Sequence, residues 1–248
     1  MTDQNAEPLS PTPTPNRCLA ALSADALTLL KPHLTEVRLE AGAVLLEAGR
    51  PHPFTHFPTN GLLSLTVQMQ DGAAIQVGMV GNDGAAGGLD GVTSAEMTTQ
   101  GRVLIGGLFM RIGRGTLTEF ARQNSEIADM LRACLAWLVI QAQQLAACNA
   151  AHEAEKRLCR WLMACQRRVG NGVIIATQER IAGLLGIRRT TVTLLAQKLH
   201  DSGLIDYTRG KIAIRNPAKL EAAACECCAK LGPAHWPSAQ LNAMGNGA

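Results

Sequence analysis

The sequence predicts an α+β chain with an N-terminal β jelly roll, a long central dimerisation helix and a C-terminal winged helix-turn-helix. Three observations predict it. Short apolar or alternating runs broken by Gly, Asn, Asp and Pro fill residues 36–112, a helical apolar stripe follows to 151, and two helical segments meet at Gly186 ahead of a basic hairpin.

Composition sets the frame for these elements. The 248 residues are 47% hydrophobic and 17% charged, which is enough chain for two domains and enough apolar material for ordinary cores. No run of eighteen apolar residues occurs, and the start, with Asp3, Glu7 and four prolines among residues 8–15, lacks the basic-then-apolar order of a signal peptide. A cytoplasmic protein with no membrane partner is therefore expected, and its eight cysteines are expected to be free thiols rather than disulfides. The formal charge of +3 is unevenly spread: residues 151–219 hold thirteen Lys/Arg against five Asp/Glu, net +8, leaving −5 for the remainder. One segment suits a polyanion and the rest repels one.

Taken in order, residues 1–16 read as a disordered leader ending in Ser10-Pro11-Thr12-Pro13-Thr14-Pro15-Asn16. The β-roll is expected over 17–115. Ser23 caps a short helix to Leu30, with Pro32 just beyond its end. Strands are expected at Val44–Leu46, Leu62–Val67, Ala74–Val80, Arg102–Ile105 and Leu108–Ile112, with Asp71-Gly72 as a hairpin turn. Over 116–151, Ile127, Leu131, Cys134, Leu138, Gln141, Leu145 and Cys148 recur in steps of four and three. Such a stripe either packs on its own β domain or forms a parallel dimer seam; the seam is the favoured expectation, with polar Gln141 setting the register.

Residues 152–228 are expected to form the winged helix-turn-helix, with 229–248 as a tail. Thr177 is suited to N-cap a helix whose inward face is Ile181, Leu184 and Leu185, and Gly186 to end it in the left-handed conformation. The next helix turns Val192, Leu195 and Leu199 inward, leaving Arg188, Arg189, Thr190, Thr193 and Lys198 to solvent. Gly203 to Ile214 reads as a hairpin carrying Arg209-Gly210 at its tip and Lys211 beside it. In a helix-turn-helix the second helix enters the major groove, where an Arg fork matches guanine and Thr hydroxyls reach phosphates or bases. The wing brings positive charge to a neighbouring phosphate.

Thr177-Gln178-Glu179, the run Leu184 to Thr193, and Ser202-Gly203-Leu204-Ile205 resemble the CRP/FNR family of bacterial regulators. His56-Phe57-Pro58, Gly61, Asp71-Gly72 and Val80-Gly81-Asn82-Asp83-Gly84 resemble its sensor domain. The resemblance spans about Leu19 to Cys227 and implies a homodimer, a palindromic duplex-DNA operator and contact with RNA polymerase. It puts Arg189 at the base-reading position and Thr191 at a phosphate-contacting one, but Thr190 where an acidic reader is usual and Leu194 where a second arginine is usual. A half-site different from that of the best-known members follows. The implied effector pocket falls on Gly81, Asp83, Gly84 and Gln100, yet Gln100-Gly101 stands where a phosphate-binding Arg belongs, so a cyclic nucleotide is not expected. Nor is an iron–sulfur cluster, because Cys18 stands alone before Cys134.

Cys225, Cys227 and Cys228 cluster without a histidine at short spacing, His235 lying seven residues beyond, so no metal is expected. Cys134 and Cys148 are expected as core thiols, and His152 and His200 as surface groups. No nucleophile–base–orienter set or phosphate-binding glycine loop is recognisable, which argues against an enzyme. Three functions stay open: a duplex-binding transcription regulator, a thiol- or metal-based redox sensor using the same domain, and an interaction module that ignores DNA.

Overall fold

The structure is a computed structural model that describes residues 16–87, 98–170, 173–232 and 235. Asn16, which the sequence pattern places in the leader, is instead part of the fold. It is buried; its Oδ1 accepts from the Cys18 and Leu19 amides, and its Nδ2 donates to the Pro58 and Gly84 carbonyls, both at 2.9 Å. It therefore caps α1 (Arg17–Ala20) while pinning that helix to the β-roll. Ser23 caps α2 (Ala24–Leu30) as expected, its hydroxyl accepting from Ala26 N.

Among the described residues, seven strands make the roll: β1 (Thr35–Leu39), β2 (Val44–Leu46), β3 (Phe54–Pro58), β4 (Leu62–Gln68), β5 (Ala74–Val80), β6 (Gln100–Ile105) and β7 (Gly107–Gly113). They pair antiparallel in two sheets, ordered β1-β7-β3 and β2-β6-β4-β5. Every expected strand is present. The sequence pattern does not reveal β1 and β3, because Glu36 and Arg38 interrupt the apolar texture of the first and Pro58 ends the second. β4 and β5 meet at Asp71-Gly72, where Gly72 takes φ 86° and Asp71 Oδ1 accepts from Ala73 N at 2.9 Å. Between the sheets lie Leu63, Val103 and Phe109, each fully buried.

The helical region 116–151 is two helices, not one. α3 (Arg114–Gln123) ends where Asn124 turns to φ −132°, and Asn124 Oδ1 accepts from the Glu126 and Ile127 amides to start α4 (Ser125–Ala151). A strong N-cap residue thus interrupts an otherwise helical pattern. By length and apolar composition α4 could cross a bilayer, its best window having a mean hydropathy of 1.2. That apolar content includes a core stripe: Ile127, Leu131, Cys134, Gln141, Leu145 and Cys148 are buried, with Leu138 half-buried, inside this one chain.

His152 and Glu153, both extended, separate α4 from α5 (Ala154–Val169). Then follow β8 (Ile174–Ile175), α6 (Gln178–Leu185), α7 (Arg189–Asp201), β9 (Ile205–Thr208), β10 (Lys211–Ile214), α8 (Pro217–Ala223) and α9 (Cys227–Lys230). The wing sheet is ordered β8-β10-β9. This C-terminal domain is not detached: Leu62, Met79 and Leu104 of the roll share one apolar cluster with Leu158, Trp161, Leu162, Ile181 and Leu184.

Candidate nucleic-acid interface

Local chemistry builds the helix-turn-helix as the sequence predicts. Thr177 Oγ1 accepts from Arg180 N at 3.2 Å, and Gly186 closes α6 at φ 62°, ψ 42°, a conformation that L side chains avoid. Val192 and Leu199 are buried on α7, Leu195 is half-buried, and Ala196 completes the inward face. The wing turns at Arg209 (φ 48°) and Gly210 (φ 79°), a pair of left-handed residues that matches the right-handed twist of a two-residue hairpin.

The predicted contact residues fall largely on the surface. Thr177, Arg188, Arg189, Thr190, Thr193, Lys198, Arg209 and Lys211 are exposed, while Gln178 and Thr191 are half-buried. Several hold one another in place. Thr193 Oγ1 donates to Gln178 Oε1 at 2.6 Å, Arg189 lies 3.8 Å from Glu179, and Lys198 Nζ lies 2.6 Å from Glu155. These ion pairs are exposed, so they orient more than they stabilise. Leu194, 72% exposed, is the most solvent-accessible large apolar side chain described, and it sits on the reading helix.

In this arrangement α6 lies against the roll. Arg180 donates to the Val103 carbonyl at 3.1 Å, and burial together with nearby Arg102 pulls its pKa down. Arg188 and Arg189 border a cleft of about 730 Å³ that they share with Gln68, Asp71, Gln100 and Arg102.

The effector pocket expected at Gly81, Asp83, Gly84 and Gln100 is not assembled. Gln100 lines the cleft, paired with Thr66, whereas the Gly81–Gly84 turn is filled by Arg168 from α5. A Cβ on Gly81 would lie 2.5 Å from the Arg168 Cβ, so the turn admits Arg168 only because it has no side chain there. Asp83, largely buried, pairs with Arg168 at 2.9 Å and accepts from Trp137 Nε1 at 3.1 Å. Gln141 Oε1 accepts from both Met79 N (3.1 Å) and Arg168 (3.3 Å). Gln141 thus joins roll, central helix and C-terminal domain within one chain, and the dimer seam assigned to Ile127, Leu131, Cys134, Leu138, Gln141, Leu145 and Cys148 is a core stripe instead. The free face of α4 is the opposite one, with Ala136, Val139, Ile140, Gln143, Ala146 and Ala147 exposed at heptad-like spacing.

All eight cysteines are buried and free. Cys18 and Cys134 Sγ atoms lie 3.0 Å apart, and burial with this neighbour pushes Cys18 up. Linear spacing concealed a second group: His152, from the end of α4, reaches within 3.7 Å of Cys227 Sγ, and Cys148 lies 3.5 Å from Cys225.

With this geometry in place, the fold belongs to a known class. FixK2 from Bradyrhizobium japonicum superposes with a TM-score of 0.64 at 17% identity, covering 77% of this chain and 98% of its own. TTHA1359, a CRP/FNR family transcriptional regulator from Thermus thermophilus, gives 0.62 at 21% identity with coverages of 77% and 98%. TTHB099, a CRP family transcriptional regulator from the same organism, gives 0.62 at 16% with 77% and 99%. No curated protein matches at the level of sequence. Residues 156–223, from α5 through the wing to α8, match the family described as the Crp-like helix-turn-helix domain. Residues 156–223 are thus a Crp-like helix-turn-helix domain, and the chain shares the fold of the CRP/FNR-family structures it superposes on.

Proposed function

We propose that the chain regulates transcription by binding a palindromic operator as a homodimer, each protomer seating the N-terminal half of α7 in the major groove. The observation that carries this reading is the exposed cationic start of α7, Arg188-Arg189-Thr190, inside a domain matched to Crp-like helix-turn-helix proteins. Arg189 reads a base edge, Thr191 and Gln178 contact phosphate, and Arg209 and Lys211 bring the wing to the flanking backbone. Leu194, exposed on the same helix, offers an apolar contact suited to a thymine methyl group. The second protomer packs along Ala136, Val139, Gln143 and Ala146, and contact with RNA polymerase belongs to the same reading.

Switching follows from the cleft. With α6 held on the roll by Arg180 and α5 by the Asp83–Arg168 pair, Arg188 and Arg189 face the β4–β5 hairpin; a signal that loosens this docking frees them for DNA. Gel shifts on genomic fragments at two salt concentrations test the reading. Sequence-selective binding that weakens steeply with salt is expected, and Arg189→Ala should lower the preference for the selected site by about 1–3 kcal/mol. A chain that ignores duplexes at low salt, or an Arg189→Ala variant with unchanged preference, overturns it.

A further inference from the structure

Two regions far apart in sequence converge where the central helix hands over to the C-terminal domain. Cys148 occupies the last turn of α4 and His152 is its C-cap, four residues on, so both face the same way. Cys225 and Glu226 lie in the short link between α8 and α9, and Cys227 opens α9. The three sulfurs and one imidazole nitrogen all lie within 4.8 Å of one another. Cys148, Cys225 and Cys227 are at most 4% exposed, and His152 is half-buried.

We propose that Cys148, His152, Cys225 and Cys227 form a tetrahedral site for a zinc ion, which clamps the α8–α9 link to the end of α4. Zinc bonds of about 2.3 Å to sulfur and about 2.0–2.1 Å to nitrogen place tetrahedral ligands roughly 3.5–3.8 Å apart. Cys148 and Cys225 Sγ stand 3.5 Å apart, and Cys227 Sγ stands 3.7 Å from His152 Nδ1. Three thiolates with one imidazole is a donor set for a borderline-soft ion of tetrahedral habit, not for calcium or magnesium.

The surroundings are those of a supported site. His152 Nε2 lies 3.1 Å from a Glu226 carboxylate oxygen, an arrangement that leaves the Nδ1 lone pair free to face the sulfurs. Gln144 Nε2 donates to Cys227 Sγ at 3.0 Å, a bond that strengthens when the sulfur is anionic. Arg160 is 3% exposed with its Nε lacking a hydrogen-bond partner, and its charge acts on Cys148, whose thiol burial nevertheless pushes up on balance. A divalent ion with three thiolates carries one net negative charge, which a buried guanidinium offsets. Binding releases up to three thiol protons to solvent and involves no change of oxidation state. A simple disulfide would use Cys148 and Cys225 alone and would give no role to His152, Glu226 or Gln144.

The full chain, reduced and stripped with a chelator, is titrated with zinc chloride in the absence of DNA and followed by native mass spectrometry and competition with a chromogenic chelator. One zinc per chain is expected, together with a rise in thermal midpoint. Cobalt(II) in its place should give the intense visible bands of a tetrahedral thiolate site. Glu226→Gln, exposed and outside the ligand set, should weaken binding roughly 10–100-fold, and Cys225→Ser or His152→Gln more than that. Cys165→Ser, in the separate α5 core, should leave the stoichiometry unchanged. If a cysteine variant does not fold, Glu226→Gln and the cobalt spectrum of the unaltered chain still decide. The proposal is overturned by substoichiometric zinc, by an octahedral cobalt spectrum, by binding indifferent to His152→Gln and Glu226→Gln, or by a reduced chain that reverts at once to a Cys148–Cys225 disulfide and excludes metal. None of these outcomes depends on whether the chain binds DNA.

Discussion

His56 on β3 is buried, and desolvation together with the charges of Arg111 and His52 lowers its pKa to about 4. An unfolded chain takes up a proton near pH 6.5, so the stabilisation from keeping His56 neutral is complete above that pH and is lost as pH falls toward 4. Urea midpoints between pH about 7 and about 4.5 should therefore drop by an amount worth about 2 kcal/mol, and His56→Gln should flatten the slope. The core thiols behave differently: burial pushes Cys159 up to about 11 and Cys165 up to about 12, leaving them protonated and slow to alkylate at neutral pH. Residue roles are legible in the sequence where neighbours decide them, as for the Thr177 cap, Gly186 and the Arg209-Gly210 turn. They are illegible where the partner is remote. Nothing near Asp83 in the chain announces Arg168, 85 residues away, and nothing near Cys227 announces His152, 75 residues back.

At the level of elements, apolar periodicity identifies the stripe of α4 but not what it packs against. A heptad pattern is satisfied equally by a partner helix or by the chain's own sheet, and here the roll with α1, α2 and α3 takes it, while α9 covers its C-terminal end. The homodimer proposed above is therefore assigned to the other face. Val139→Asp combined with Ala146→Asp changes only exposed positions, so the chain should stay folded by circular dichroism while sedimenting as a monomer; an unaltered dimer would return the seam to the original stripe. Asn124, an N-cap inside a helical run, explains why one predicted helix is two. Strands with interior apolar alternation are readable from the sequence, whereas β1, with an exposed face carrying Glu36 and Arg38, resembles a loop in composition.

Across the whole molecule, the β-roll, the central helix and the C-terminal domain meet at one buried ion pair, Asp83–Arg168, with Trp137 and Gln141 completing its hydrogen bonds. Breaking one side of such a pair leaves an uncompensated charge. Asp83→Leu alone should lower stability by about 3–5 kcal/mol in chemical denaturation, and the double variant with Arg168→Met should recover much of it. Equal, additive losses would show that the pair does not couple the domains. No reading of composition anticipates this junction, because burial of a charge is decided only once three distant segments have packed. The extended residues His152 and Glu153 add a mechanical constraint. Two extended residues reach no more than about 7 Å, too short a leash for the C-terminal domain to drift away from α4. Whatever motion it undergoes must be a swivel about that joint, so small angular changes at His152 become large arcs at the far end of α7, and any mutation that stiffens or loosens the joint should alter DNA affinity without touching a single base contact.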